Sequence, residues 1–323
     1  MASISVVDAA REAAQHTRRH LLPLNPLKWL TLGFLAFLDQ CGRSVAGSGP
    51  HGGNGMRTGP WPGPFHPERG IHGVVDAART VSEWLSDHSL LVMSGVAAAI
   101  LAVAAVLAVI LWINSRGTFM YLDNVASGRA EITRPWREHA GAAWSYFGWR
   151  YALSFGSFMV FVLVVGIVLA SVLGVLNGRI DSPSGGLVLL ALVPIVAVLL
   201  LSAPILALAL VALRDFVAPL QMSTGLSCGS AAGLLETLVT AQPGAFIVYA
   251  LLKLLFVVLS SVVVAVVSCL TCCIGFLPLV NQTIFQPLYY FERAWPLFLL
   301  RQLGYDLPGR LPAGPPKGVP NPA

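Results

Sequence analysis

Three uninterrupted apolar runs constrain this chain more than any other feature of its sequence. They cover Ser89 to Ser115, Tyr151 to Gly178 and Ser182 to Leu213, and none of them contains Asp, Glu, Lys or Arg. A helix needs about 20 apolar residues to cross the hydrocarbon core of a bilayer. Of the 323 residues, 56% are hydrophobic and 11% are charged, whereas about a quarter of a soluble domain is charged. The sequence therefore predicts a polytopic membrane protein.

The number of membrane segments depends on one short apolar stretch, residues 27–38. At about 1.5 Å per residue, this stretch covers roughly 20 Å of a 30 Å hydrocarbon core, so it is either a short crossing or an in-plane helix. If it crosses, we expect an all-α, polytopic transmembrane helix bundle of about six membrane segments with amphipathic surface helices. The other five segments are residues 89–114, 151–176, 187–213, 245–270 and 276–298, the last two forming a helical hairpin.

The composition outside these runs predicts the domain organisation. Residues 42–70 hold nine glycines and five prolines, which neither a helix nor a continuous strand tolerates, so an irregular loop is expected there. The apolar positions of residues 71–88 recur at helical spacing and indicate an amphipathic surface helix. The expected parts are a surface helix with a short membrane segment (1–41), the Gly/Pro-rich loop (42–70), the surface helix (71–88), the transmembrane bundle (89–304) and a disordered tail (305–323).

The distribution of basic residues predicts which side each part faces. With six membrane segments, 14 Lys and Arg residues fall on the side of the termini and five on the other side; if residues 27–38 do not cross, the counts are ten and nine. Because cytoplasmic loops carry an excess of Lys and Arg, six crossings are favoured. We expect a protein of the cell inner (plasma) membrane, with residues 116–150 and both termini in the cytoplasm.

Two polar stretches are expected to meet lipid headgroups. In "RAEITRPWREH", Arg129, Arg134 and Arg137 accompany Trp136, and this combination is typical of the membrane interface. A dedicated ligand or partner site in this stretch is the alternative. In "LRDF", the adjacent charges of Arg214 and Asp215 close an apolar run, and we expect them to face headgroups and water as well.

Four stretches together carry a resemblance: "NPLKWLTLGFLAFL", "SRGTFMYLDNVASGRAEITRPWREH", "LRDFVAPLQM" and "CCIGFLPLVNQTIFQPLYYFERAWPLFLLRQLG". They resemble a group of uncharacterised bacterial multi-pass membrane proteins, loosely similar to the membrane domain of glycerophosphodiester phosphodiesterases. The resemblance implies location and architecture. Its motifs carry no assigned chemistry, so no catalytic residue can be transferred, and we also expect the chain to lack the soluble domain that performs hydrolysis in the fused enzymes.

Cysteine and histidine do not form a convincing metal motif. The stretch "CLTCC" places Cys269, Cys272 and Cys273 near a helix end, where packing is the simplest explanation and a metal site or disulfide the alternative. His16 and His20 share a helix face without a third ligand. We therefore predict no metal, cofactor or catalytic residue. Nucleic acid is not an expected partner either, since the basic residues flank apolar segments.

Lys253 and Glu292 are the two charges expected inside the bilayer. From a turn centred near residue 274, Lys253 lies 21 residues back and Glu292 lies 18 forward, which is about 31 and 27 Å along antiparallel helices. Isolated charges at that depth are costly, so the two side chains are predicted to pair if their helix faces agree. The alternative is that Lys253 extends to the lipid headgroups at the interface while Glu292 pairs with Arg293 or reaches water.

These features favour a non-catalytic envelope factor that acts in assembly or interaction, with membrane lipids and an unidentified membrane protein as partners. The alternative is a transporter or lipid-handling protein, which would need a polar path through the bilayer. Paired carboxylates or a metal cluster at membrane depth would indicate an enzyme, and the sequence offers neither. The residues suited to a polar path are Lys253, Asn281, Gln282, Gln286 and Glu292.

Overall fold

The computed structural model describes residues 4–40, 80, 84, 87–176, 182–270 and 277–307. Within these ranges the regular elements are all helices. They are α1 (Val6–Leu21), α2 (Pro26–Gln40), α3 (Ser89–Ser127), α4 (Thr133–Glu138), α5 (Ala140–Leu176), α6 (Ser182–Ala212), a π-helical turn (Leu213–Val217), α7 (Ala218–Thr224), α8 (Cys228–Ala241), α9 (Pro243–Leu270), α10 (Pro278–Ile284) and α11 (Gln286–Gln302).

Several predicted features lie outside the described residues. They are the Gly/Pro-rich loop at 42–70, most of the surface helix at 71–88, and the tail beyond residue 307. Cys272 and Cys273 also lie outside, whereas Cys269 is an exposed free thiol near the end of α9.

Four helices are long and apolar enough to cross a membrane, rather than the six membrane segments expected. They cover Ser89–Ser127, Ala140–Gly174, Leu192–Thr224 and Pro243–Leu270. The short segment 27–38 falls in α2, which has 15 residues. The predicted last segment, 276–298, is divided at Phe285 into α10 and α11.

The physical reason for the smaller number is helix length, because α2 with 15 residues and α11 with 17 cover only about 22 and 26 Å of a hydrocarbon core of about 30 Å. Both helices are also partly enclosed by protein. On α2, Leu32, Leu35 and Ala36 are fully buried, so one face of this helix packs inside the chain. In α11 the residues from Glu292 to Leu300 are all buried. An apolar sequence can be buried by protein as well as by lipid, and hydropathy alone does not separate the two.

The chain forms two compact units. The first unit comprises Met1–Arg43, Ile110–Arg150 and Ala209–Ala323, and the second comprises Ser44–Val109 and Tyr151–Leu208. In the first unit, α1 packs against α11, with Ser5 N donating to the side chain of Gln302 and the indole of Trp295 donating to the Val6 carbonyl. The first unit therefore joins the first helix of the described chain to the last.

Two glycines allow close helix packing in the first unit. A Cβ on Gly117 of α3 would lie 2.5 Å from the backbone carbon of Leu38 on α2, and a Cβ on Gly33 of α2 would lie 2.3 Å from the hydroxyl of Thr283 on α10. Only hydrogen fits at these positions. The contacts fix α2 between α3 and α10, which brings its last turn to the candidate site.

Candidate functional site

Six charged side chains meet in the first unit, and we call this group the ion cluster. Their side chains are at most 7% exposed. Three are acidic and three are basic, so the group is formally neutral. The members are Asp39 on α2, Arg214 and Asp215 in the π-helical turn, Lys253 on α9, and Glu292 and Arg293 on α11.

The π-helical turn explains how two adjacent charges reach the interior. All five residues of Leu213–Val217 are buried. In an α-helix, adjacent side chains point about 100° apart, and a wider π turn changes which side chains share a face. π-Bulges occur frequently at functional sites. The expectation that Arg214 and Asp215 face headgroups was wrong, since they are 5% and 0% exposed.

Arg214 bridges two helices. Its Nη2 lies 2.6 Å from Asp39 Oδ2 on α2, and its Nη1 lies 3.0 Å from Glu292 Oε1 on α11. The planar guanidinium fork suits such double contacts, because its donors point in fixed directions. One side chain thereby links the π-helical turn to both α2 and α11.

Lys253 bridges two carboxylates. Its Nζ lies 2.9 Å from Asp215 Oδ2 and 3.3 Å from Glu292 Oε1. The structure thus brings together Lys253 and Glu292, the two side chains for which the sequence predicts a pair. Glu292 also contacts Arg214, so the pair belongs to a larger network. That Lys253 and Glu292 lie at membrane depth stays a prediction.

Arg293 completes the cluster from the other side of Asp39. Its Nη2 lies 3.1 Å from Asp39 Oδ1, while its Nη1 donates to the carbonyl of Arg214. Asp39 therefore uses one oxygen for each of two arginines. The pair of Glu292 with its neighbour Arg293, considered as an alternative, is not among the ion pairs of the described residues.

Neutral polar groups surround the cluster. The Tyr249 hydroxyl donates to Asp215 Oδ2 at 2.9 Å. The Asn114 amide donates to the carbonyls of Leu38 and Asp39 and accepts from Arg150. Burying an ion without a partner costs several kcal/mol, about 3–5 when one member of a buried pair is removed. Every charge of the cluster has an opposite charge within contact, so the arrangement suits a structural lock.

A cavity of about 410 Å³ adjoins the cluster. Its wall includes Glu292 of α11 and Ser260 and Ser261 of α9. Both serine hydroxyls donate to the Val257 carbonyl, so they present lone pairs rather than protons to the cavity. The polar residues Gln282 and Gln40 lie close by and bond to each other at 2.9 Å.

The predicted headgroup residues occupy different environments. Arg134 contacts Asp123 at 2.6 Å, Glu131 at 2.7 Å and Glu138 at 2.7 Å, and the hydrogen bond with Glu131 raises the pKa of Arg134. Arg137 is exposed. Arg129 lies 3.8 Å from a Glu131 oxygen, and the guanidinium of Arg116 stacks over the Trp136 ring at 5.2 Å. Contact with lipid headgroups stays a prediction for Arg129, Arg134, Trp136 and Arg137.

One group of side chains has metal-ligand geometry in the described part of the chain. Ligand atoms of Asp123, Glu138 and His139 lie within 4.8 Å of one another. The guanidinium of Arg134 already pairs with Asp123 and Glu138, so a cation would have to replace a charge that is built into the site. The rings of His16 and His20 lie 4.3 Å apart on α1, and His16 Nε2 lies 2.7 Å from the Val125 carbonyl oxygen.

Sequence reasoning missed Asp39, Arg214, Asp215 and Arg293 as members of one site. A signal was present in the sequence, because each of these charges adjoins or interrupts an apolar segment. The linear sequence could not show that the four positions share one level of the fold, since this depends on the π-helical turn and on the packing of α2.

The fold and the ion cluster define a class: a helical protein with four membrane-length apolar helices and a compact unit closed by buried ion pairs. The chain belongs to the family of unknown function DUF7544, which matches residues 4–301. No curated protein and no solved structure matches it. The expected similarity to glycerophosphodiester phosphodiesterases has no support in these comparisons.

Proposed function

We propose that this protein is a non-catalytic, multi-pass membrane protein that acts as an assembly or interaction factor. One observation carries the proposal. In the most apolar 18-residue window of each membrane-length helix, at most 6% of the residues are buried within the described chain. Such helices present nearly their whole circumference to lipid and to helices of other membrane proteins, and van der Waals packing drives helix association in lipid.

The ion cluster supports the same function by a different route. Its charges are paired within the chain, and buried polar networks of this kind can specify one arrangement of helices. A rigid ion cluster would hold α9, a membrane-length helix of the first unit, in a fixed orientation within that unit. This arrangement suits a scaffold that is recognised by a partner.

The distribution of charge supports the proposed orientation. The first unit contains 16 of the 20 Lys and Arg residues of the chain. The positive-inside rule favours the cytoplasm for such a unit. We therefore propose a bacterial inner-membrane protein in which the polar residues 116–150 of the first unit and both termini lie on the cytoplasmic side, while α9 of the same unit crosses the membrane.

Site-specific photocrosslinking in living cells tests the interaction. A benzophenone amino acid is placed at Leu101 on α3 or Leu163 on α5, which are 70% and 62% exposed, and at the buried Leu122 as a matched control. We expect a protein adduct of discrete mass at an exposed position and none at Leu122. Adducts with lipid alone at both exposed positions would contradict the proposal.

A transporter or lipid-handling function is the second candidate, and the cavity beside Glu292 favours it. The cavity combines a buried charge with hydroxyl oxygens of α9. Solute uptake by the purified protein in liposomes, abolished by Ser261→Phe in the wall of the cavity but retained in Ser223→Ala on α7, would support this candidate over the first.

A further inference from the structure

A second cavity in the first unit is lined by residues of α1, α2, α11 and the α1–α2 connection. Its volume is about 400 Å³, within the roughly 300–1,000 Å³ of small-molecule sites. We call it the α1–α2 groove. The Thr17 hydroxyl on its wall donates to the Ala13 carbonyl at 2.8 Å, so the wall offers little polarity apart from one arginine. Its main lining residues are Leu21, Leu22, Leu24, Trp29, Pro287 and Phe291.

Two arginines stand at the mouth of the groove. A hollow next to it is lined by Arg18 and Arg19 and shares Arg18 and Leu22 with the groove. Both arginines are exposed, and among the ion pairs of the described residues neither has an acidic partner. Arg11 on the same helix differs, because it pairs with Asp8 at 3.5 Å.

An apolar surface leads from the groove along α2. Leu24 lines the groove and is 67% exposed, and Leu27 and Leu30 continue the same surface with 76% and 51% exposure. A contiguous apolar patch of this kind marks a protein or membrane contact rather than a surface in water. Lys28 does not interrupt it, since its ammonium turns away to donate to the carbonyls of His20 and Gly128.

We propose that the α1–α2 groove binds one anionic glycerophospholipid. Its acyl chain lies against Trp29, Pro287 and Phe291, and its phosphate contacts Arg18 and Arg19. The chemistry is complementary at both ends, because guanidinium forks match phosphate oxygens and the rest of the groove is apolar. Basic pockets between helices on the cytoplasmic side of membrane proteins bind anionic headgroups in this way. The inference does not depend on the proposed protein partner.

The test uses the purified full-length protein in detergent and native mass spectrometry. Phosphatidylglycerol, phosphatidylcholine and inorganic phosphate are added separately. We expect one retained phosphatidylglycerol per chain, and about tenfold weaker retention in Arg18→Gln/Arg19→Gln, as the loss of charge-assisted contacts implies. The matched control Arg11→Gln should retain the lipid as the wild type does.

A second variant tests the apolar part of the site without altering charge. Ala14 is exposed and lines the groove, so Ala14→Phe should fill the space, displace the acyl chain and leave the lipid-free melting temperature unchanged. Equal retention of phosphatidylcholine and phosphatidylglycerol by the wild type would overturn the proposal. Full retention in either variant would overturn it too, as would equal stabilisation by inorganic phosphate, which lacks an acyl chain.

Discussion

Arg293 shows why the chemistry of a single side chain matters in this fold. Its side chain is fully enclosed, and it reaches Asp39 with one nitrogen and the carbonyl of Arg214 with another. A lysine would keep the charge but has one compact ammonium, which cannot span both acceptors. The guanidinium fork, and not only the positive charge, is therefore required at this position.

We expect Arg293→Lys to lower the free energy of unfolding by about 1–3 kcal/mol, the usual range when a buried contact is lost. Unfolding by a denaturing detergent, followed by circular dichroism, measures the change. Arg11→Lys is the matched control: Arg11 is 70% exposed, so its replacement should alter stability by less than about 0.5 kcal/mol. Wild-type stability in Arg293→Lys would show that charge alone suffices.

His16 is a buried histidine that makes the first unit sensitive to acid. Its Nε2 must carry the proton, since the Val125 carbonyl can only accept. Its Nδ1 is buried without a hydrogen-bond partner in the described structure. Burial lowers the pKa of His16 to about 4, and the nearby charges of His20, Arg301 and Arg19 act in the same direction.

The lowered pKa of His16 predicts a loss of stability in acid. Between about pH 6.5 and pH 4 the unfolded chain binds a proton at His16 that the folded chain excludes. The free energy of unfolding therefore decreases by up to about 1.4 kcal/mol for each unit by which the pH is lowered. Above pH 6.5 both states are neutral at His16 and the effect vanishes. Unfolding curves from pH 4 to 8 measure the slope, which should be smaller in His16→Gln. Equal slopes in the two proteins would exclude His16 as the cause.

For individual residues, the sequence predicted one contact of the ion cluster, that of Lys253 with Glu292, and missed the others. The contact of Lys253 with Glu292 was predicted from the levels that the two residues would have on antiparallel helices joined by an assumed turn near residue 274. The partners of Asp39 and Arg293 could not be predicted in this way. Asp39 and Arg293 contact each other although 254 positions separate them in the sequence, and no local periodicity relates residues so far apart.

Among the elements, α2 departs most from its sequence interpretation. Its apolar residues predict either a crossing or an in-plane helix. In the structure its Leu32 and Leu35 are buried by protein, whereas Leu27 and Leu30 are exposed. A uniformly apolar helix gives no signal for which face meets protein and which meets lipid, because both environments favour the same side chains. Gly33 of α2 and Gly117 of α3, which lie where this helix contacts α10 and α3, mark the side of α2 that packs against protein.

Gly117 on α3 should be the least replaceable of these glycines. A Cβ there would lie 2.5 Å from the backbone of α2, and a backbone cannot move aside as a flexible side chain does. We expect Gly117→Ala to lower the melting temperature and to cost about 1–3 kcal/mol through overpacking. Denaturation of the purified protein measures the cost.

Gly95 on the same helix provides the control for Gly117. No atom lies within 4 Å of a Cβ at this position. Gly95→Ala should be neutral or stabilising by up to about 1 kcal/mol, because alanine favours the helix more than glycine does. Equal effects of the two substitutions would show that helix propensity, and not the contact with α2, controls the stability.

In the whole molecule, the ion cluster joins parts of the chain that are far apart in sequence. Asp39 comes from the N-terminal part, Arg214 and Lys253 from the middle, and Glu292 from the C-terminal part. Closing such long connections costs conformational entropy, so the contacts at the junction must be strong. The charge balance of the cluster is therefore the central feature of the folded unit.

This network changes what a charge exchange between Lys253 and Glu292 should do. In an isolated pair, exchanging the two charges restores the attraction. In the cluster, a lysine at position 292 would face Arg214, and a glutamate at position 253 would face Asp215. The exchange should therefore fail to restore stability. Removing one charge of each sign keeps the cluster neutral and avoids these new repulsions.

A double-mutant cycle with Lys253→Met and Glu292→Gln tests charge balance most directly. Free energies of unfolding are measured for the wild type, both single variants and the double variant, with the exposed pair Asp8→Asn and Arg11→Gln as a control cycle. Each single change in the cluster leaves one buried charge uncompensated and should cost about 3–5 kcal/mol. The free energy of unfolding lost in the double variant should be smaller than the sum of the two single losses by at least about 1 kcal/mol. In the control cycle the loss in the double variant should equal the sum of the single losses within about 0.5 kcal/mol. Additive losses at Lys253 and Glu292 would contradict a charge-balanced cluster.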